Sequence, residues 1–344
     1  MKKIICLLLF FPILSCNNQE YRDLNKNGKL DVYEDKTQSI DDRVSDLISK
    51  MTLREKAGSM FIHIAFVGEN GEMVESPVEG NFFSAAVPKM STMLNELNMN
   101  HFNIFNVVTK ENMLKWGNMI QKVGENSRLG IPITIAADPR HGVPNTIWPY
   151  AFTPFFSSWP SSLGLAATRD LSLVKEYAEI VRKEYRAIGV TLALGPMADV
   201  STEPRWGRIN GTFGEDSELV SSLTKSYITG LQGDILNDES VASMVKHFPG
   251  SGALDGGKDS HFPPGIQSYR GGNFEYHIKP FEEAIEIGVS SIMTYYSLPI
   301  GITKEEVGAG YNSELLLGLL RGKYAFDGII CTDWAIISDI ILPD

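Results

Sequence analysis

Gly328–Trp334 reads GIICTDW, an apolar run that closes on a carboxylate and an indole. Hydrophobic on both faces, it has the pattern of a parallel strand buried on both sides, and Asp333 at its carboxyl end would be delivered to a pocket as nucleophile or base. An Asp at a strand end also caps loops and helix N-termini, so this ending needs support from elsewhere. Four further stretches have the same form: Ile131–Asp138 (IPITIAAD), Val190–Asp199 (VTLALGPMAD), Val241–His247 (VASMVKH) and Ser290–Tyr296 (SSIMTYY). Each is short and apolar, and each is closed by polar or aromatic residues.

Helical patterns lie between these runs. From Asp170 the residues Val174, Tyr177, Val181 and Ile188 follow helical spacing, and Gly189 stands where a helix would stop. A second stripe runs from Ser217 through Val220, Leu223, Tyr227 and Leu231, and a third starts near Ser313 with Leu316, Leu319 and Leu320. Strand alternating with helix implies an α/β fold with a parallel sheet and helical crossovers. Polar groups collected at the carboxyl ends of strands favour a TIM-type (β/α)8 barrel over an open doubly wound sheet. No glycine-rich dinucleotide fingerprint follows any early strand.

Of the 344 residues, 43% are hydrophobic and 10% aromatic, enough for one sizeable core with no internal repeat or low-complexity stretch. The net charge of −11, with no run of Lys and Arg, argues against a nucleic-acid partner and for an acidic solvated exterior. Residues 1–16 read as a secretory signal: Lys2 and Lys3 precede an apolar run, Ile4–Leu14, too short to span a membrane. Ile13, Leu14, Ser15 and Cys16 resemble a bacterial lipobox, in which Cys16 would be lipidated; the alternative is an ordinary signal with an incidental Cys. The expectation is an exported bacterial lipoprotein, membrane-associated through its lipid anchor, in the periplasm or at the outer membrane or cell surface. That leaves Cys331 alone in the mature chain, a packed thiol within an apolar strand with no disulfide partner.

The segment 17–39 reads as a tether carrying a calcium loop. Asp23–Glu34 (DLNKNGKLDVYE) sets Asp23, Asn25, Asn27, Asp31 and Glu34 at loop positions one, three, five, nine and twelve, with Gly28 at six for the sharp turn and Lys29 at seven, where a backbone carbonyl serves. Glu34 would close the shell with two oxygens. A structural rather than a signalling calcium is expected, because the loop lies between the tether and the main domain. After it, Val44, Leu47, Ile48 and Met51 form a helical stripe, and Thr52 with Glu55 a capping box.

The strand ends carry the chemistry: Asp138 in AADPRHG, Arg205, Trp206 and Arg208 in EPRWGR, and Lys246 and His247 in KHFPG. Adjacent Lys and His can reach one pocket only if the strand bends there, and Pro249 and Gly250 follow at once. Charged and hydrogen-bonding groups round an aromatic wall suit a polyhydroxylated ligand such as a sugar. Together with FGED, SIMTYY and CTDW, these motifs resemble, in matching order, the barrel domain of family 3 glycoside hydrolases over residues 40–344; Gly272–Ala284 (GNFEYHIKPFEEA) strengthens the likeness to the family's two-domain β-glucosidases.

The resemblance implies a retaining, exo-acting β-glycosidase, β-glucosidase in class, acting on oligosaccharides or β-glycosides with no catalytic cofactor. Asp333 would be the nucleophile and Trp334 a wall of the aglycone site, while Asp138, Arg208, Lys246, His247 and Tyr296 would hold the terminal sugar. In two-domain relatives the acid/base is a Glu from a domain after the barrel. The sequence ends before such a domain, so a barrel incomplete at its C-terminus is expected. Asp259, Ser260 and His261 resemble the Asp and His dyad of the family's β-N-acetylhexosaminidases, an acid relay within the barrel, although Ser251 stands where their KHFPGHG motif has His. Gly211 is a second departure, at a position where relatives often place Glu. A third reading is an inactive sugar-binding remnant.

Overall fold

The computed structural model describes residues 21–78, 82–106, 108–142, 153–262 and 265–337. Residues 1–16, expected to be a secretory signal ending at Cys16, lie outside them. Seven parallel strands form one curled sheet in the order β1 (Ile62–Ala65), β2 (His101–Ile104), β3 (Thr134–Ala137), β4 (Leu192–Ala193), β5 (Ala242–Phe248), β7 (Ser291–Thr294) and β9 (Ile329–Cys331). Two short strands, β6 (Ile266–Ser268) and β8 (Leu298–Ile300), pair in parallel beside it. Among the described residues no eighth strand joins β1 to β9, so the architecture is a partial (β/α)8 barrel.

Helices α1 (Ile40–Lys50) and α2 (Leu53–Gly58) precede β1, and α3 (Lys110–Asn126) crosses from β2 to β3. The β3 to β4 connection holds α4 (Ser162–Ala167) and α5 (Leu171–Ala187), α6 (Ser217–Gln232) leads into β5, and α7 (Phe274–Glu286) leads into β7. In α5 the Asp170 side chain accepts from the backbone N–H of Ser172 and Leu173, Val174, Tyr177 and Val181 are buried, and Gly189 takes φ +85° just past the end. In α6 the corresponding cap is Asp216, and Gly230 sits so close to α5 that a Cβ there would lie 2.5 Å from Ala178 Cβ. The Thr52 and Glu55 capping box is present at the start of α2.

Two expectations are corrected, and two strands carry no sequence signal. The stretch Glu314–Lys323 is wound as a π-helix, so Leu315 and Leu320, five residues apart, are the buried pair, and Leu316 and Leu319 are only partly covered. The α1 stripe buries no residue completely; Val44 and Ile48 are each 47% exposed. Strands β1 (IHIA) and β2 (HFNI) were not foreseen, because polar residues interrupt both. Inside the sheet's curve, Ala136, Leu192, Leu194, Met244 and Met293 pack with Ile62, Cys331 and Trp334. Burial pushes the Cys331 thiol up to about 11, which keeps it protonated.

Candidate active site

Strand β5 delivers two adjacent side chains through a bulge. Lys246 pairs with Met293 and Phe248 with Thr294, so His247 is an extra residue opposite a single step of β7. A bulge re-aims side chains that would otherwise alternate between faces. The peptide bonds Lys246–His247 and Phe248–Pro249 are both cis. Lys246 Nζ lies 2.8 Å from Asp138 Oδ1 at the end of β3, and Asn103 Nδ2 of β2 donates to Asp138 Oδ2 at 3.1 Å. Burial pushes the Asp138 carboxyl up, but Lys246, Arg140 and Asn103 outweigh it and hold it below the usual range.

His247 is 1% exposed, and its Nδ1 lies 2.9 Å from Oδ2 of Asp199, a carboxylate with no exposure at all. Asp199 also accepts from the backbone N–H of His247 at 3.3 Å and of Ser251 at 2.6 Å. The loops after β4 and β5 are pressed together here: a Cβ on Gly252 would lie 1.8 Å from Val200 O. Burial lowers His247 to about 4, against the partial opposition of Asp199, so the imidazole is neutral at pH 7. With Nδ1–H donated to Asp199, Nε2 is left as an acceptor facing Asp333 Oδ2 at 3.9 Å.

Asp333, two residues past β9, is 5% exposed. Its Oδ1 accepts from the Trp334 backbone N–H at 2.8 Å. Burial first, and then the adjacent Asp333 carboxylate, raise the Tyr296 phenol, which stays protonated and interacts with that carboxylate. Arg208 also feels Asp333: burial opposes its charge, but Tyr295, Asp333 and Asp259 together outweigh burial.

A second cluster adjoins the first. Trp206 Nε1 donates to Asp259 Oδ2 at 2.9 Å, and Asp259 Oδ1 lies 2.6 Å from His261 Nδ1. Burial pushes Asp259 up, but the hydrogen bonds from His261 and Trp206 hold it well below the usual carboxylate range. The His261 ring is 35% exposed and packs 4.6 Å from the Tyr296 ring. Tyr296 thus stands between His261 and Asp333.

Asp138, Arg208, Lys246, His247, Tyr296, Asp259, His261 and Asp333 therefore form one continuous set at the carboxyl ends of β3, β4, β5, β7 and β9. Trp334 is partly buried against the hydrophobic cluster inside the sheet's curve. Arg205 is outside the set, paired with Glu203 on the surface. A Cβ at Gly211 would meet Met197 Sδ at 2.8 Å, so a larger residue there requires Met197 to move. The sequence reading missed Asn103 and Tyr295 and treated Asp199 only as a strand end. Asn103 belongs to no motif, and Tyr295 reads as a core aromatic.

The Asp23–Glu34 loop lies apart from this set; many of its polar groups bond within the loop, and Tyr33, donating to Leu129 O at 3.2 Å, and Lys26, donating to Asn126 at 3.1 Å, tie it to the end of α3 and the turn after it. Asp23 accepts from the N–H of Asn27 and Gly28 at 3.0 and 2.8 Å, and the amides of Asn25 and Asn27 donate to Asp31 Oδ2 at 2.6 and 2.7 Å. Glu34, 6% exposed, accepts from the N–H of Leu24 and Asp31, while Lys29 N–H donates to Asn27. Gly28 takes φ +76°. Among the described residues no three His, Cys, Asp or Glu side chains converge as a ready ligand set.

A partial (β/α)8 barrel with this arrangement of carboxylates, Lys, His and Arg at its strand ends defines a class, and residues 52–343 match the glycosyl hydrolase family 3 N-terminal domain. The chain belongs to that family. It is 43% identical over 320 residues to β-glucosidase C of Emericella nidulans, which covers 92% of this chain and 50% of that protein. To the periplasmic β-glucosidase/β-xylosidase of Dickeya chrysanthemi it is 41% identical over 339 residues, 95% of this chain and 50% of that protein. The chain thus spans about half the length of these curated relatives. Among solved structures it resembles a family 3 β-N-acetylglucosaminidase from Paenibacillus sp. (TM-score 0.68, 25% identity, 82% of this chain and 49% of that one). It also resembles the Listeria innocua β-glucosidase in complex with isofagomine (TM-score 0.63, 25% identity, 86% and 37%).

Proposed function

We propose that this chain carries the sugar-binding and nucleophile half of a retaining, exo-acting β-glycosidase, a β-glucosidase in class. The observation that carries this reading is Asp333: a carboxylate 5% exposed, beside the Tyr296 hydroxyl, with the neutral His247 Nε2 3.9 Å away and the Arg208 charge nearby. In the reaction an Asp333 oxygen attacks the anomeric carbon of a terminal β-linked sugar as the bond to the leaving oxygen breaks and that oxygen takes up a proton. Water then cleaves the glycosyl-enzyme. The Asp138–Lys246 pair and His247 offer acceptors and a donor in fixed directions to sugar hydroxyls, and Trp334 walls the aglycone side.

A second reading is favoured by the closed Asp259–His261 pair, whose ring nitrogens and exposure suit a proton donor to the leaving group, as in a β-N-acetylhexosaminidase. Nitrophenyl β-glucoside and its 2-acetamido counterpart, compared by kcat/KM on the same preparation, separate the two. Preference for the glucoside supports the first reading and preference for the acetamido sugar overturns it. Sugar binding without turnover of either substrate would mark an inactive remnant.

Export as a lipid-anchored protein belongs to the same proposal, supported by the Lys2–Cys16 pattern and by relatives named as periplasmic in Dickeya chrysanthemi and Salmonella typhimurium. So does a structural calcium in the Asp23–Glu34 loop. Its donors fit in kind: the Asp23, Asp31 and Glu34 carboxylates lie within the loop, each engaged in the loop's own hydrogen bonds, and half-turn rotations of the Asn25 and Asn27 amides would present oxygen in place of nitrogen.

A further inference from the structure

We propose that Tyr295 is a positioning residue whose one buried hydroxyl holds Arg208 on the nucleophile side and Asp259 on the His261 side at the same time. The proposal rests on the reading that both sides act on a sugar. Tyr295 has no exposed surface, so it makes no contact with bulk solvent. Its hydroxyl lies 2.9 Å from Arg208 Nη1 and 3.3 Å from Asp259 Oδ1.

The direction of both bonds is fixed by chemistry. A guanidinium only donates and an ionised carboxylate only accepts, so the phenol must accept from Arg208 and donate to Asp259. One hydroxyl has the single proton and the lone pairs to do both. Arg208 also lies over the Tyr295 ring, with its guanidinium carbon 5.6 Å from the centroid. Asp259 is also held by Trp206 on Oδ2 and by the His261 backbone N–H on Oδ1 at 3.0 Å, and Tyr295 adds a bond to Oδ1 from a third segment, with Oδ1 turned toward His261 Nδ1.

The three segments joined here come from different crossovers: Trp206 and Arg208 follow β4, Asp259 and His261 follow β5, and Tyr295 and Tyr296 follow β7. Trp206 joins the post-β4 segment to Asp259 directly, and the Tyr295 hydroxyl, from a third segment, is the group that touches both the Arg208 guanidinium and Asp259. The competing account is that Tyr295 only fills space, since its ring packs 4.3 Å from His247 and 5.8 Å from His261. A phenylalanine fills that space equally well and lacks the hydroxyl.

Tyr295→Phe in the full chain separates the two accounts. Loss of a hydrogen bond to a charged group predicts a fall in kcat/KM of roughly 10-fold on a dinitrophenyl β-glucoside, whose departure needs no proton. A further fall of roughly 10-fold is expected on a methoxyphenyl β-glucoside, whose departure does need one. Asp259→Asn should reproduce the second loss, and the double variant should add little to it, because both changes cut one linkage. Additive losses, or a Tyr295→Phe protein equal to the parent on both glucosides, overturn the proposal. Proton NMR gives a readout independent of turnover. The short His261–Asp259 bond should give a downfield Nδ1–H signal that moves or is lost in Tyr295→Phe, and an unchanged signal overturns the proposal. If the parent turns over neither glucoside, the glycosidase reading fails, and the NMR signal still decides the role of Tyr295.

Discussion

Asp138 and Lys246 are 108 residues apart in sequence and meet through a 2.8 Å ion pair, whereas Asn25 and Asn27 reach Asp31 from only six and four residues away. Both clusters are rich in oxygen ligands, yet one exists only when β3 and β5 are in register through β4, and the other closes within twelve residues. The first is buried, with Lys246 5% exposed; the second lies mostly at the surface beside the half-exposed α1. The long-range cluster should therefore report on the whole sheet, and the short-range one chiefly on the loop and the few contacts that dock it.

Removing Lys246 is the most severe way to test that contrast. Among the described residues, Lys246→Ala leaves the Asp138 carboxylate with the Asn103 hydrogen bond and the charge of nearby Arg140. Breaking a buried pair costs about 3–5 kcal/mol, and because the Asp138 side chain is 23% exposed the lower end, about 3 kcal/mol, is expected. Urea unfolding should show this as a drop in the single main transition. Asp31→Ala, which removes a partly exposed carboxylate paired with Lys50 at 3.4 Å, should move that transition by less than about 1 kcal/mol. Equal effects would erase the distinction between the regions.

Acidification should separate the regions by pH. Burial lowers His277 to about 4 from an ordinary 6.5, with Asp199 in partial opposition, and His247 and His141 are likewise lowered to about 4. Between those values the unfolded chain binds protons that the folded chain refuses. Stability therefore falls as pH drops from about 6.5 toward about 4. His277→Gln should flatten that fall by up to about 3 kcal/mol, read from unfolding curves at several pH values. In the loop, hydrogen bonds from Asn25 and Asn27 lower Asp31, so its contribution is present above the ordinary 3.8 and is lost only as pH falls through its lowered value. A loop that opened between pH 6 and 5, seen as new proteolytic cleavage within residues 21–36, would contradict this order.

On the main unfolding transition the smallest effect is that of calcium. At tenfold excess over its dissociation constant, one bound ion adds about 1.4 kcal/mol to whatever unit its loop belongs to. Protection of residues 21–36 from proteolysis should rise with calcium and be lost in Asp23→Ala, with the main unfolding transition almost unmoved. A calcium-dependent shift of the whole transition would mean that the loop is part of the barrel's cooperative unit.

The same contrast explains what could be read from the sequence. The calcium pattern and the Thr52–Glu55 cap are local, so spacing alone specified the turn at Gly28 and the cap at α2. The strand ends could be read because Asp138, Lys246, His247 and Asp333 each terminate an apolar run. Their partners could not. Asn103 lies in an unremarkable HFNI, Asp199 closes its apolar run with nothing in the sequence to mark His247 as its partner, and Tyr295 is one residue from the tyrosine that the family pattern singles out. The π-wound Glu314–Lys323 defeated helical spacing, because a five-residue period in a leucine-rich stretch is masked by the leucines between.

The central claim is that Asp333 attacks the sugar. Protein lacking residues 1–16 would be incubated with a 2-fluoro β-glucoside bearing a dinitrophenyl leaving group, which needs no acid, and its intact mass recorded. One covalent sugar mapping to Asp333, and absent from Asp333→Asn, is the predicted result. A folded protein that forms no adduct, or carries the sugar on another residue, would contradict the account.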